Sequence, residues 1–92
     1  MKSEEFYKKL KQTLDETTVF PSKYLYKFIV PTKGRGVEDI EQIFDHLGAV
    51  ITTKESSKGK YTAVSIEVEL KDSDSVIDKY KEVAKIKGVI AL

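Results

Sequence analysis

The side chains best suited to chemistry in this chain lie in two short basic segments, Lys33-Gly34-Arg35-Gly36 and Ser57-Lys58-Gly59-Lys60. Glycines let backbone amides approach a ligand closely, and a helix that begins just after Gly36 would aim its positive end at an anion. Together they outline a carboxylate- or phosphate-sized site at Lys33, Gly34, Arg35 and Gly36, with help from Lys58 and Lys60. The plainer reading weighs more. Gly34 and Gly36 let the chain turn, and the lysines form a solvated rim. The segment is too short for a phosphate-cradling P-loop, whose pattern is G-x-x-x-x-G-K-[ST].

Other reactive residues stand alone. His46 is the one histidine and there is no cysteine, so no His/Cys metal set or thiol nucleophile can form. Glu67 and Glu69 could act as paired carboxylates, but outward alternation along a strand explains them. Ser56 and Ser57 have no neighbouring base and suit a turn. No nucleophile, base and oxyanion hole come together, so no enzyme and no cofactor is expected.

These residues need elements to position them. The 92 residues suffice for one domain, with 16 basic against 15 acidic side chains and a net charge of +1. Phe6, Leu10 and Leu14 recur at helical spacing over residues 1–18, which form an N-terminal helical extension. The core spans residues 19–92. A strand "KYLYKFIVP" is followed by a helix "VEDIEQIFDHLG" that carries Val37, Ile40, Ile43, Phe44 and Leu47 on one face and stops at Gly48. A strand "AVITTKE", the turn "SSKG" and a strand "KYTAVSIEVEL" come next. The capped helix "KDSDSVIDKYKEVAKI", with Val76, Ile77, Tyr80, Val83, Ala84 and Ile86 inward, leads to a short last strand "GVIAL". The order strand, helix, strand, strand, helix, strand gives an α+β, ferredoxin-like βαββαβ sandwich. It has a four-stranded antiparallel sheet with the first and third strands central and both helices on one face.

Lys27 decides which sheet face is covered. Tyr24, Tyr26, Phe28 and Val30 share one side of the first strand, while Leu25, Lys27 and Ile29 share the other. Burying the second side would strand an ammonium at a cost of several kcal/mol, so the aromatic side goes under the helices. The third-strand stretch "KGKYTAVSIEV" loosely matches an RNA-recognition strand. Its outward positions after Tyr61 are Ala63, Ser65 and Glu67, with no stacking aromatics, and the net charge is near zero, which argues against a nucleic-acid partner. Leu25, Lys27, Ile29, Tyr61 and Ala63 instead make a moderately apolar open surface. A protein partner, a second copy of the chain or the N-terminal helix could cover it.

The same topology brings the end of the first strand, the hairpin and the start of the last strand to one edge. That edge would collect Lys33, Arg35, Lys58, Lys60, Lys85 and Lys87, opposite an acidic end with Glu69, Asp72, Asp74 and Asp78. No apolar run reaches the roughly 20 residues of a membrane span, and the charged N-terminus has no apolar core of a signal peptide. A cytoplasmic location without membrane attachment is expected.

The segments "FPSKYLYKFIV", "SSKGKYTAVSIEVEL" and "VIDKYKEVAKIKGVIAL" together resemble the YbeD-like family of small bacterial proteins. The Phe-Pro before a Tyr-Lys strand and the Ser-Ser-Lys-Gly hairpin with Tyr61 carry the likeness, over Val19 to Leu92. The resemblance implies a ferredoxin-like fold akin to regulatory ACT domains, which bind amino acids near the first strand-to-helix loop, here "PTKGRG". The expected function is a small non-catalytic regulatory or interaction module that binds a protein partner or itself through the open sheet face. The alternative is a sensor of a small anionic metabolite at the basic edge.

Overall fold

Ten consecutive residues rich in aromatic and β-branched side chains extend as β1 (Ser22–Pro31), entered through a cis Phe20–Pro21 peptide bond. The computed structural model describes residues 3–92. Ahead of β1 runs α1 (Ser3–Thr17), and after it come α2 (Gly36–Ile43), β2 (Val50–Glu55), β3 (Tyr61–Leu70), α3 (Ser73–Val83) and β4 (Ile90–Ala91). The strands form one antiparallel sheet in the order β2-β3-β1-β4, which places the first and third strands in the centre as expected. β1 and β3 pair along their full length, from Ser22 opposite Leu70 to Pro31 opposite Tyr61.

Helix α2 is shorter than the apolar spacing suggested. It ends at Ile43, and Asp45–Leu47 form a 3-10 turn, with His46 exposed at a non-helical φ of −96°. Gly48 then adopts a left-handed φ of 70° that releases the chain toward β2. The last carbonyl of α2 is not wasted: Lys79 of α3 donates to the Ile43 oxygen at 3.0 Å, which ties the two core helices together. At the start of α3 the Asp72 carboxylate accepts from the Ser75 amide at 2.8 Å, a side-chain N-cap. Ala84, expected inward, lies exposed just past the end of α3, where the helical phase no longer holds it against the sheet.

The core lies between the sheet and the helices. Tyr26, Phe28 and Val30 of β1 and Val64, Ile66, Val68 and Leu70 of β3 are buried against Ile40, Phe44, Val76 and Val83. Tyr26 is buried at no hydrogen-bonding cost because its hydroxyl donates to the Val76 carbonyl at 2.9 Å. The Tyr24 and Tyr80 hydroxyls meet at 2.9 Å in the same layer. The aromatic side of β1 is therefore the covered side, and Lys27 projects into water from the other.

Helix α1 docks on α3 in the helix layer and leaves the far face of the sheet uncovered. Its stripe engages unevenly: Leu14 is buried and Leu10 packs on the core, while Phe6 stays 49% exposed. A polar clamp completes the contact. The Ser73 hydroxyl donates to Asp15 at 2.5 Å, and the Lys11 ammonium reaches Ser73 at 3.2 Å and Asp74 at 3.4 Å.

Candidate functional site

The open face is a grid whose rows follow from the strand register. Ile29 lies opposite Ala63 and Ile90, Lys27 opposite Ser65, Leu25 opposite Glu67, and Lys23 opposite Glu69. β2 adds Lys54 beside Ala63, Thr52 beside Ser65 and Val50 beside Glu67. Leu92 extends the β4 line, since its amide donates to the Lys27 carbonyl at 2.9 Å. Of seven exposed large apolar side chains among the described residues, Leu25, Val50, Tyr61, Ile90 and Leu92 all belong to this one face. Single exposed apolar residues are ordinary, whereas a contiguous group on one face is not.

All five residues expected on this surface, Leu25, Lys27, Ile29, Tyr61 and Ala63, come together there, with Tyr61 at its upper margin opposite Pro31. Val50, Ile90 and Leu92 were missed. Their strands are short and show too little alternation to assign a face, and only the pairing with Glu67 and Ile29 reveals it. The face keeps its charges apart. Among the described residues, none of the ion pairs within 4 Å involves Lys23, Lys27, Glu67 or Glu69.

The basic segments also share one edge. The Thr32 amide donates to the Lys60 carbonyl at 2.9 Å, which joins the loop after β1 to the hairpin. At the β4 entry, a Cβ on Gly88 would lie 3.1 Å from the Pro31 ring. The hairpin itself is a closed turn: Ser56 N–H donates to the Tyr61 carbonyl at 2.7 Å, Gly59 N–H to the Ser56 carbonyl at 2.9 Å, and Gly59 takes a φ of 73°. "SSKG" is thus accounted for by the geometry of the turn. Lys33, Arg35, Lys58 and Lys60 are exposed along this rim.

The two rim glycines have structural tasks. Gly34 sits at a φ of 99° where a side chain would be strained. At Gly36 a Cβ would lie 2.8 Å from the Val30 Cβ, so the bare backbone is what lets α2 start against β1. Arg35 leans on Asp39 at 3.7 Å, and Glu38 and Asp39 already occupy the first turn of α2. The helix N-terminus is therefore faced by carboxylates of its own chain.

The titration behaviour tracks the packing rather than either surface. The Ser73 hydroxyl holds the Asp15 carboxyl below the usual carboxylate range, and the Ser75 contacts do the same for Asp72. The bond to Asp15 raises the Lys11 ammonium, and burial pushes the Tyr26 and Tyr80 phenols well up. The acidic end expected around Glu69, Asp72, Asp74 and Asp78 is tempered by Lys11, which α1 brings to Asp74.

A four-stranded antiparallel sheet with helices on one side and the other side bare defines a ferredoxin-like α+β domain. Among solved structures, the crystal structure of the ACT domain from GTP pyrophosphokinase of Chlorobium tepidum shares this fold. The TM-score is 0.55 at 16% identity, covering 77% of this chain and 100% of that domain. The profile of the family described as "Protein of unknown function (DUF493)" matches residues 15–92. UPF0250 proteins of Haemophilus influenzae strains PittEE and PittGG are each 33% identical over 92 residues, covering 97% of this chain and 96% of theirs. The chain belongs to this family of small YbeD-like proteins. No helix among the described residues is long and apolar enough to cross a membrane.

Proposed function

We propose that the protein is a small, non-catalytic regulatory module of the cytoplasm that acts by binding protein through the open face of its sheet. The observation that carries this reading is the gathering of Leu25, Val50, Tyr61, Ile90 and Leu92 on the one side of the sheet that no helix covers. An interface needs an apolar centre with polar groups to set its register, and Lys27, Glu67 and Lys54 supply those among the apolar side chains. The shared fold with an ACT domain, named in its structure as part of a larger enzyme, supports a regulatory role.

The test is capture of binding proteins from extract of the source cell. Each captured protein is then purified and titrated against the wild-type chain, Lys27→Glu, Ile90→Asp and the rim variant Arg35→Ala. Binding is expected to fall with the two open-face variants and to survive Arg35→Ala. Binding that is indifferent to the face variants overturns the reading.

One observation favours a second reading. The Thr32–Lys60 hydrogen bond gathers two cationic segments at a single rim, where a small anionic metabolite such as a carboxylate could sit near Lys33, Arg35 and the Gly36 amide. A thermal-shift panel of amino acids and carboxylates at low salt decides it. Stabilisation abolished by Arg35→Ala supports the sensor, and no shift with any ligand rejects it.

A further inference from the structure

The open face carries its charges in columns. On β1 the exposed charged positions are Lys23 and Lys27, and on the adjacent β3 they are Glu67 and Glu69. A basic column thus runs beside an acidic one along the middle of the sheet. A two-fold axis lying in the plane of contact, parallel to the strands and midway between β1 and β3, exchanges the two columns.

Applied to a second copy, that operation lays β3 of the copy over β1 of the first, row upon row. Glu69 of the second copy then meets Lys23. Glu67 of the second copy lies over Leu25, flanked by Lys23 and Lys27. Ala63 of the second copy falls on Ile29, so the centre of that row stays apolar, while Lys54 of the second copy falls at its end on Ile90. Because the axis is two-fold, each contact occurs twice. An isologous interface requires this self-complementarity, and a purely basic or purely acidic face could not provide it.

We infer that the open sheet face is a homodimer interface in which two copies stack face to face, the β3 carboxylates of each against the β1 lysines of the other. This deepens the reading above by naming the partner, and it rests on that reading. The available area fits a reversible dimer. Three inter-strand spacings by about eight residues of strand give a contact on the order of 400 Å² per copy, below the roughly 800 Å² of a standard stable interface. The dimer is expected to exchange with monomer and to grow with concentration.

The four charged residues are exposed, so reversing them leaves the core untouched. Sedimentation velocity on the full chain over a concentration series should show a dimer for the wild type. Lys23→Glu with Lys27→Glu makes both central columns acidic, and Glu67→Lys with Glu69→Lys makes both basic, with Lys54 of β2 unchanged in each. Each double variant should weaken self-association by about tenfold or more. An equimolar mixture of the two should recover a mixed dimer. The quadruple variant carrying all four reversals should dimerise like the wild type, and that rescue is what a merely structural role would not produce.

A wild-type chain that stays monomeric throughout the series overturns the inference, as does self-association indifferent to the double reversals. Either result, with capture of another protein still lost in Ile90→Asp, removes the second copy as partner and leaves the proposed function standing. Face variants that leave both self-association and capture intact remove both.

Discussion

The two faces of this one sheet are built from the same strands and differ in what their polar atoms meet. On the covered face, every polar group that goes under the helices finds a partner there. Tyr26 donates to Val76, Tyr24 meets Tyr80, and Thr62 meets Thr32 at 2.9 Å. Among the described residues no buried side-chain nitrogen or oxygen is left unpaired. On the open face, Lys23, Lys27, Glu67 and Glu69 lie beside Leu25 and Ile29 and form no ion pair among the described residues. The comparison separates two jobs that alternation writes into a single strand. One side commits its side chains to folding, and the other holds both apolar area and charge in reserve.

The largest effect that can break this division is a pair of truncations on β1. Phe28 is 1% exposed and stacks on Tyr26 with ring centroids 5.7 Å apart, so Phe28→Ala should cost about 3–5 kcal/mol of stability. Leu25 on the opposite side is 56% exposed, and Leu25→Ala in dilute monomer should change stability by no more than about 0.5 kcal/mol. Urea denaturation measures both. A large loss at Leu25 would mean that the open face is part of the folding core after all.

The rim supplies a smaller test. Gly36 looks like a ligand-site glycine in sequence, yet its missing Cβ makes room for Val30, a residue of the covered face. Gly36→Ala should therefore cost about 1–3 kcal/mol, the range for overpacking a closely packed contact. Were Gly36→Ala neutral in thermal denaturation, the close approach of α2 to β1 would be softer than the geometry implies. The anion reading of the rim would then regain a glycine without a structural task.

This also shows where sequence was informative and where it was not. Alternation over β1 and β3 is long and one-sided, and a single lysine among aromatics was enough to orient the sheet. The same alternation placed Leu25, Lys27, Ile29 and Ala63 on the open face. β4 is two residues long and β2 holds a Thr-Thr pair, so neither has a period to read, and Val50, Ile90 and Leu92 emerged only from pairing across strands. The end of α2 was misread because Leu47 keeps the helical spacing while the backbone has already tightened into a 3-10 turn. A glycine's purpose was not legible at all. Whether Gly36 serves a ligand or a neighbour depends on the strand it touches, six residues away in sequence and 2.8 Å from its would-be Cβ.

The smallest expected effect concerns α1, whose docking keeps it in the helix layer and away from the open face. Asp15 has its carboxyl held low, first by the Ser73 hydroxyl and then by Lys11. A carboxyl whose folded-state pKa is depressed contributes stability that is present above its ordinary value near 3.8 and is lost as pH falls through the depressed one. α1 should therefore loosen from α3 below about pH 4, while β1 and β3 remain protected by their pairing. Both Asp15 and Lys11 are solvent-exposed in this clamp, so the change should be modest and confined to one helix. Amide exchange followed from neutral pH downward, corrected for the intrinsic pH dependence of exchange, should show Leu10 to Thr17 losing protection before the strands do. In Ser73→Ala the carboxylate loses its first partner, so protection of α1 should already be lower at neutral pH and fall less on acidification. If α1 and the strands instead lose protection together, α1 is part of the core's cooperative unit, and the covered side cannot shed it independently.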